Sequence, residues 1–134
     1  MYRLIKIFGK RQNAPEPLRI PLKKAASVTR GTPVRFEEGA LRPFSREADF
    51  LPTHMTLADS EGKEVLCYAV TPDMVFEISV AEPPHTMKVG NEYLLSHDGK
   101  AVSATLADGS LRGATLMNKT GAKQAGDTIL VAFR

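Results

Sequence analysis

Tryptophan is absent from this chain, cysteine occurs once, and no apolar run exceeds the six residues Val65 to Val70. Each shortage excludes something. Without tryptophan the chain lacks the largest stacking platform for single-stranded nucleic acid, which is usually read by aromatics set among cations. One cysteine, Cys67, cannot form an internal disulfide or a structural zinc set, and suits folding in a reducing cytoplasm. Six apolar residues are far too few to span a bilayer. The N-terminal MYRLIKIFGKR is basic but has only broken apolar pairs and no small-residue cleavage site, so it is a poor secretory signal. No segment shows a convincing helical pattern.

Catalytic chemistry is equally scarce. Asp73 and Glu77 are the most tempting carboxylates, but four residues along one strand separate their Cα atoms by about 13 Å. That exceeds the roughly 5–9.5 Å between the carboxyl groups of a glycosidase. A turn-stabilising Asp73 and a solvent-facing Glu77 fit better. His54, His85 and His97 stand beside loops and never at ligand spacing. Cys67 lies mid-strand among apolar residues, where a thiol behaves as a small hydrophobe with a raised pKa. No serine sits in a nucleophile elbow. Gly9-Lys10 and Gly62-Lys63 lack the rest of a phosphate loop. The sequence predicts no enzyme, no metal and no cofactor.

Positive charge is present but unevenly placed. The 134 residues carry a formal +3, yet residues 1–46 hold eleven Lys/Arg against three Glu, a formal +8, leaving −5 on residues 47–134. Such a split predicts a basic segment that seeks an acidic partner, attached to a mildly acidic body. Nucleic acid and an acidic protein surface are both allowed. Residues 1–24 read as an extended arm: YRLIKIF alternates like a short strand, then Pro15, Pro17 and Pro21 forbid a helix. Fully extended, this arm spans roughly 80 Å. It is too apolar for a pure linker, so it should dock on its own domain or on a neighbour. Tyr2 and Phe8 are the only aromatics among its charges.

Residues 25–134 change character and read as one domain of short strands. The pattern is clearest at Val65–Val80, which gives two strands broken at Thr71-Pro72-Asp73. In the first, neither face is polar, predicting burial on both sides. In the second, Met74, Phe76, Ile78 and Val80 alternate with Val75, Glu77 and Ser79, predicting one buried and one mostly wet face. Further strands are expected at Val34–Phe36, Thr53–Ala58, Glu92–Ser96, Ala101–Leu106, Leu111–Met117 and Thr128–Arg134, the last with Ile129, Val131 and Phe133 inward. Ser45–Asp49 allows one helical turn. Asp98-Gly99 and Asp108-Gly109 supply the positive φ of tight hairpins. Seven or eight short strands punctuated by Gly, Pro and Asp predict an all-β fold, a small antiparallel β-barrel or sandwich with an extended N-terminal arm.

Several phrases of this text resemble the capsid decoration, or cement, proteins of tailed bacteriophages. They are Arg30-Gly31-Thr32-Pro33-Val34, Pro52-Thr53-His54-Met55, Tyr68 to Glu77, Val89 to Tyr93 with Ser96 to Gly99, and Ala125 to Arg134. The likeness covers most of residues 27–134. It implies a non-enzymatic structural virion protein, made in the host cytoplasm, that binds the outer surface of an assembled head at capsomer junctions and stabilises the shell. Its partner would be the major capsid protein, and it would act as a dimer or trimer, away from membranes. In that setting the arm gains a role. Arg3, Lys6, Lys10, Arg11, Arg19, Lys23 and Lys24 would meet an acidic capsid exterior, while Leu18, Ile20 and Leu22 would fill shallow pockets. The alternatives are a nucleic-acid-binding small β-barrel and a tail or head-completion component.

Overall fold

The computed structural model describes residues 1–7, 15–46, 51–109 and 111–134. Among them there are eleven strands and no helix: β1 Arg3–Ile7, β2 Leu18–Pro21, β3 Pro33–Glu37, β4 Ala40–Pro43, β5 His54–Thr56, β6 Glu64–Ala69, β7 Met74–Ser79, β8 Glu92–Leu95, β9 Val102–Leu106, β10 Ala114–Asn118 and β11 Thr128–Ala132. The all-β expectation therefore holds, with more strands than the seven or eight read from the pattern. The added ones, β2 and β4, are four residues long and end at a proline, which removes the alternating signal a longer strand would show. The expected turn at Ser45–Asp49 lies mostly outside the described residues.

Two antiparallel sheets result. One runs β1-β7-β11-β10-β8-β9, the other β2-β6-β5-β3-β4. Both curl: the five-stranded sheet closes between the chain just after β2 and β4, whereas in the six-stranded sheet the end strand β9 meets the chain just after β7 and β1 stays at the edge. In the five-stranded sheet, Leu22 bridges Leu41 and the Lys23 N–H donates to the Leu41 carbonyl at 2.9 Å. In the six-stranded sheet, Val80 bridges Val102 and the Ala81 N–H donates to the Val102 carbonyl at 2.8 Å. Curling of this kind ties up strand edges that would otherwise offer unpaired backbone groups.

Each curled sheet wraps a core, and β6 explains its own sequence by serving both. Val65 and Cys67 point to one face and join Val28, Val34 and Leu41 in a smaller core. Tyr68 points to the other face and joins the larger core of Met74, Phe76, Ile78, Leu95, Leu116, Ile129 and Val131. A strand with a core on each side has no solvent face to mark with polar residues. β7 is less wet than its alternation predicts: Val75 is only 1% exposed, and Glu77 is paired with Arg3. Ile129, Val131 and Phe133 are buried as expected.

The two Asp-Gly turns differ. Both glycines have positive φ, 75° at Gly99 and 66° at Gly109. The first turn joins the paired strands β8 and β9, a true hairpin. The second joins β9 to β10, which lie on opposite sides of β8. Asp108-Gly109 therefore starts a crossover, correcting the hairpin expected there, because a turn dipeptide specifies a local bend and not the next strand's partner.

Candidate interaction surface

The described residues of 1–24 include two strands that pair with the body. β1 pairs antiparallel with β7, Arg3 opposite Glu77 and Ile7 opposite Met74. β2 pairs with β6 in the other sheet, Leu18 opposite Cys67 and Ile20 opposite Val65. The N-terminal residues thus contribute one strand to each sheet. Bonding continues just past β2, where the Leu22 N–H donates to the Lys63 carbonyl at 2.8 Å.

Tyr2 is the anchor, which the sequence did not mark. It is 4% exposed. Its ring lies edge-on to Phe76 at 6.0 Å and tilted to Phe133 at 5.9 Å, and Phe76 also stacks on Tyr68 at 6.5 Å. Among the described residues the phenol oxygen has no hydrogen-bond partner, and burial raises its pKa, with the Asp98 charge adding to the effect. Tyr2 therefore cannot serve as an exposed stacking platform. A register shift between Leu4 and Lys6 completes the anchoring. It re-phases the strand so that Leu4 and Ile7 both pack on the larger core, leaving Ile5 39% exposed. The period-2 reading misses this, since residues three apart should face opposite ways.

The predicted contact residues divide accordingly. Ile20 and Leu22 are partly buried and pack against the smaller core of this chain. Leu18 remains at the surface, 36% exposed. Arg3 is exposed and pairs with Glu77 at 3.2 Å, and Lys23 pairs with Glu38 at 3.4 Å. Lys6, Arg19 and Lys24 are exposed. Lys10 and Arg11 lie outside the described residues. Arg19 borders an open groove of about 390 Å³ with Asp59, Glu61, Lys63 and Glu64, where acids and bases are mixed. The basic excess of residues 1–46 is partly matched within the chain: Arg42 holds Glu37 at 2.7 Å, and Arg35 donates to the Leu51 carbonyl at 2.9 Å.

Catalytic geometry does not assemble among the described residues. The Thr71 hydroxyl donates to the Asp73 carboxylate within its turn, while Glu77 faces Arg3. No group of three His, Cys, Asp or Glu is placed to hold a metal among the described residues. Cys67 is fully buried and its thiol is pushed up to about 11 by desolvation. His54 contacts Phe36 edge-on at 6.0 Å and Thr53 Oγ1 at 2.9 Å, and burial lowers its pKa. Two aspartates act as turn locks. Asp98 accepts the Lys100 N–H at 2.9 Å and the Ser96 hydroxyl at 3.1 Å. Asp127 accepts the Lys123 and Gln124 N–H groups at 2.9 and 3.2 Å. Those backbone donors hold both carboxyls below the usual range.

The arrangement is that of a scaffold with a charged exterior and an N-terminus threaded through both sheets. No protein-family model matches the chain, and no curated protein or solved structure matches it either.

Proposed function

We propose that this chain is a non-enzymatic structural protein that binds the outer surface of an assembled phage head at capsomer junctions and stabilises the shell, with the major capsid protein as its partner. One observation carries the reading. The phrases that resemble phage cement proteins supply core strands of both sheets, through Met55, Tyr68, Met74, Phe76, Tyr93, Ile129, Val131 and Phe133. The likeness therefore concerns residues on which the fold depends. The surface supports a docking role over a reaction: its titratable groups lie in turns and ion pairs, and its described N-terminal cations sit outside.

The contact set is the exposed part of the N-terminal residues: Leu18 and Arg19 on β2, Lys24 in the turn that follows it, and Arg3 and Lys6 on β1. Each exposed charge contributes little by itself, about 0–1 kcal/mol. Many copies on one shell convert such contacts into stable attachment through avidity.

The test is co-sedimentation with phage heads assembled from a purified major capsid protein. The protein should pellet with heads at a copy number that saturates on the shell lattice, and should release progressively as salt rises. The double variant Arg19→Glu, Lys24→Glu should bind at least tenfold more weakly while keeping its thermal midpoint. Failure of the unaltered protein to pellet with heads would overturn the function. A fixed low copy number would indicate a head-completion or tail component. Head-independent binding to oligonucleotides, falling steeply with salt, would indicate the nucleic-acid reading.

A further inference from the structure

The six-stranded sheet is assembled from two unequal pieces of chain. Strands β7 to β11 come from the continuous stretch 74–132, and β1 comes from residues 3–7, more than sixty residues earlier. Between them the chain builds the whole of the other sheet. β1 is therefore a guest strand. Its ties are the ladder to β7, the Tyr2 ring between Phe76 and Phe133, the Tyr2 N–H on the Gly31 carbonyl at 2.8 Å and the Arg3–Glu77 pair. Every partner in that set is residue 31 or later.

From this topology we propose that residues 1–7 are exchangeable between copies, so that β1 of one chain completes the β7 edge of a second. Nothing in the seat distinguishes the chain's own β1 from another's, so an exchanged pair keeps every contact of the unexchanged fold. The chain between β1 and β2 carries Pro15 and Pro17, which bias the backbone toward extended forms and against folding back. Exchange of an identical element is a low-cost route to dimers for this reason. Simple addition of a further strand outside β1 is disfavoured by Arg3, Lys6 and the register shift that breaks the edge. The seat itself is deep: withdrawing Tyr2 would expose Phe76 and Phe133, so an emptied seat must be refilled. The proposal concerns self-association and holds whatever surface the chain binds.

The experiment is a disulfide trap in the full-length protein. Arg3→Cys and Glu77→Cys face each other across the β1–β7 ladder, and Cys67→Ala removes the native thiol. The variant is refolded over a range of concentrations and then oxidised. Exchange predicts interchain dimers on a non-reducing gel, with the ratio of linked dimer to linked monomer rising about tenfold for each tenfold in concentration, as mass action requires. Intrachain linkage alone at every concentration would overturn it. Should the variant fail to refold, two tagged forms of the unaltered protein are co-refolded and examined by native mass spectrometry. Mixed dimers that form on co-refolding but not on mixing folded protein support exchange, and their absence rejects it.

Discussion

Tyr2 carries a conflict between packing and hydrogen bonding within one side chain. Its ring belongs to the aromatic cluster of the larger core, while its hydroxyl is buried without a partner among the described residues. A buried unpaired hydroxyl costs about 1–3 kcal/mol, so Tyr2→Phe should raise stability by up to that amount. Tyr2→Ala should lower it by about 3–5 kcal/mol through the cavity it leaves. Chemical denaturation of the two variants checks both signs, and a destabilising Tyr2→Phe would mean the hydroxyl has a partner.

Two glycines make a second comparison at this scale. A Cβ on Gly113 would sit 2.1 Å from the Tyr93 carbonyl oxygen and 2.6 Å from its carbon, both main-chain atoms of the neighbouring strand. A Cβ on Gly109 would meet nothing within 4 Å, and only its φ of 66° resists substitution. Gly109→Ala should cost about 1–2 kcal/mol, and Gly113→Ala about 3 kcal/mol or more, because the β8–β10 pairing must part. Equal losses in thermal melts would contradict the close approach. In sequence Gly113 lies within the strand expected at Leu111–Met117 and nothing marks a close approach; only the neighbouring backbone makes it obligatory.

His54 gives the fold a pH dependence with a definite sign. Its folded pKa lies below the ordinary 6.5 because burial disfavours the imidazolium. The unfolded chain therefore binds the proton more readily, and stability falls as pH drops from about 6.5 through the folded value. His54→Asn should flatten the stability profile in that window when unfolding is followed from pH 7.5 to 5. A profile unchanged by the substitution would reject this cause.

At the scale of elements, β6 and β7 were legible because their apolar content is high and their break at Thr71-Pro72-Asp73 is chemically explicit. Why β6 is apolar on both faces was not. It separates two cores, and Cys67 on the inner face of the smaller one should be correspondingly inert. Thiol reagents at pH 8 should label Cys67 only at the rate of unfolding, since the thiol is fully buried and its pKa is pushed up to about 11. Rapid labelling of the native protein would show the smaller core to be open. β1 was readable as a strand, but its partner was not. The ladder with β7 spans about seventy positions of sequence, and the register shift at Leu4/Lys6 that lets Ile7 face inward is set by β7. β2 was hidden for a different reason: Pro17 precedes it and Pro21 ends it, and its Leu18 and Ile20 alternation is too short to stand out.

For the whole molecule the question is whether two cores make two units. The larger core takes Met55 and Tyr68 from the five-stranded sheet, so neither sheet is packed without the other. Leu41→Ala in the smaller core and Leu116→Ala in the larger should each lower stability by about 2–5 kcal/mol and still leave one cooperative transition. Two separated calorimetric peaks would show independent folding units. The proposed role in cementing a shell belongs to this scale as well, since one cooperative block transmits load between neighbours better than two hinged halves.

Local chemistry in the sequence determined the class of this protein. Alternating apolar residues, proline breaks and Asp-Gly turns specify short strands wherever they occur, because side-chain direction and backbone φ are properties of each residue and its immediate neighbours. Tertiary structure decided the rest: that both sheets curl, that the Asp108-Gly109 turn is a crossover, that Ile20 and Leu22 pack against a core, and that the N-terminal strands β1 and β2 join one sheet each, with Tyr2 at the root of the first. Each of these is a pairing between residues distant in sequence. Such pairings follow from which buried surfaces and strand edges fit together, and no window of neighbouring residues contains that information.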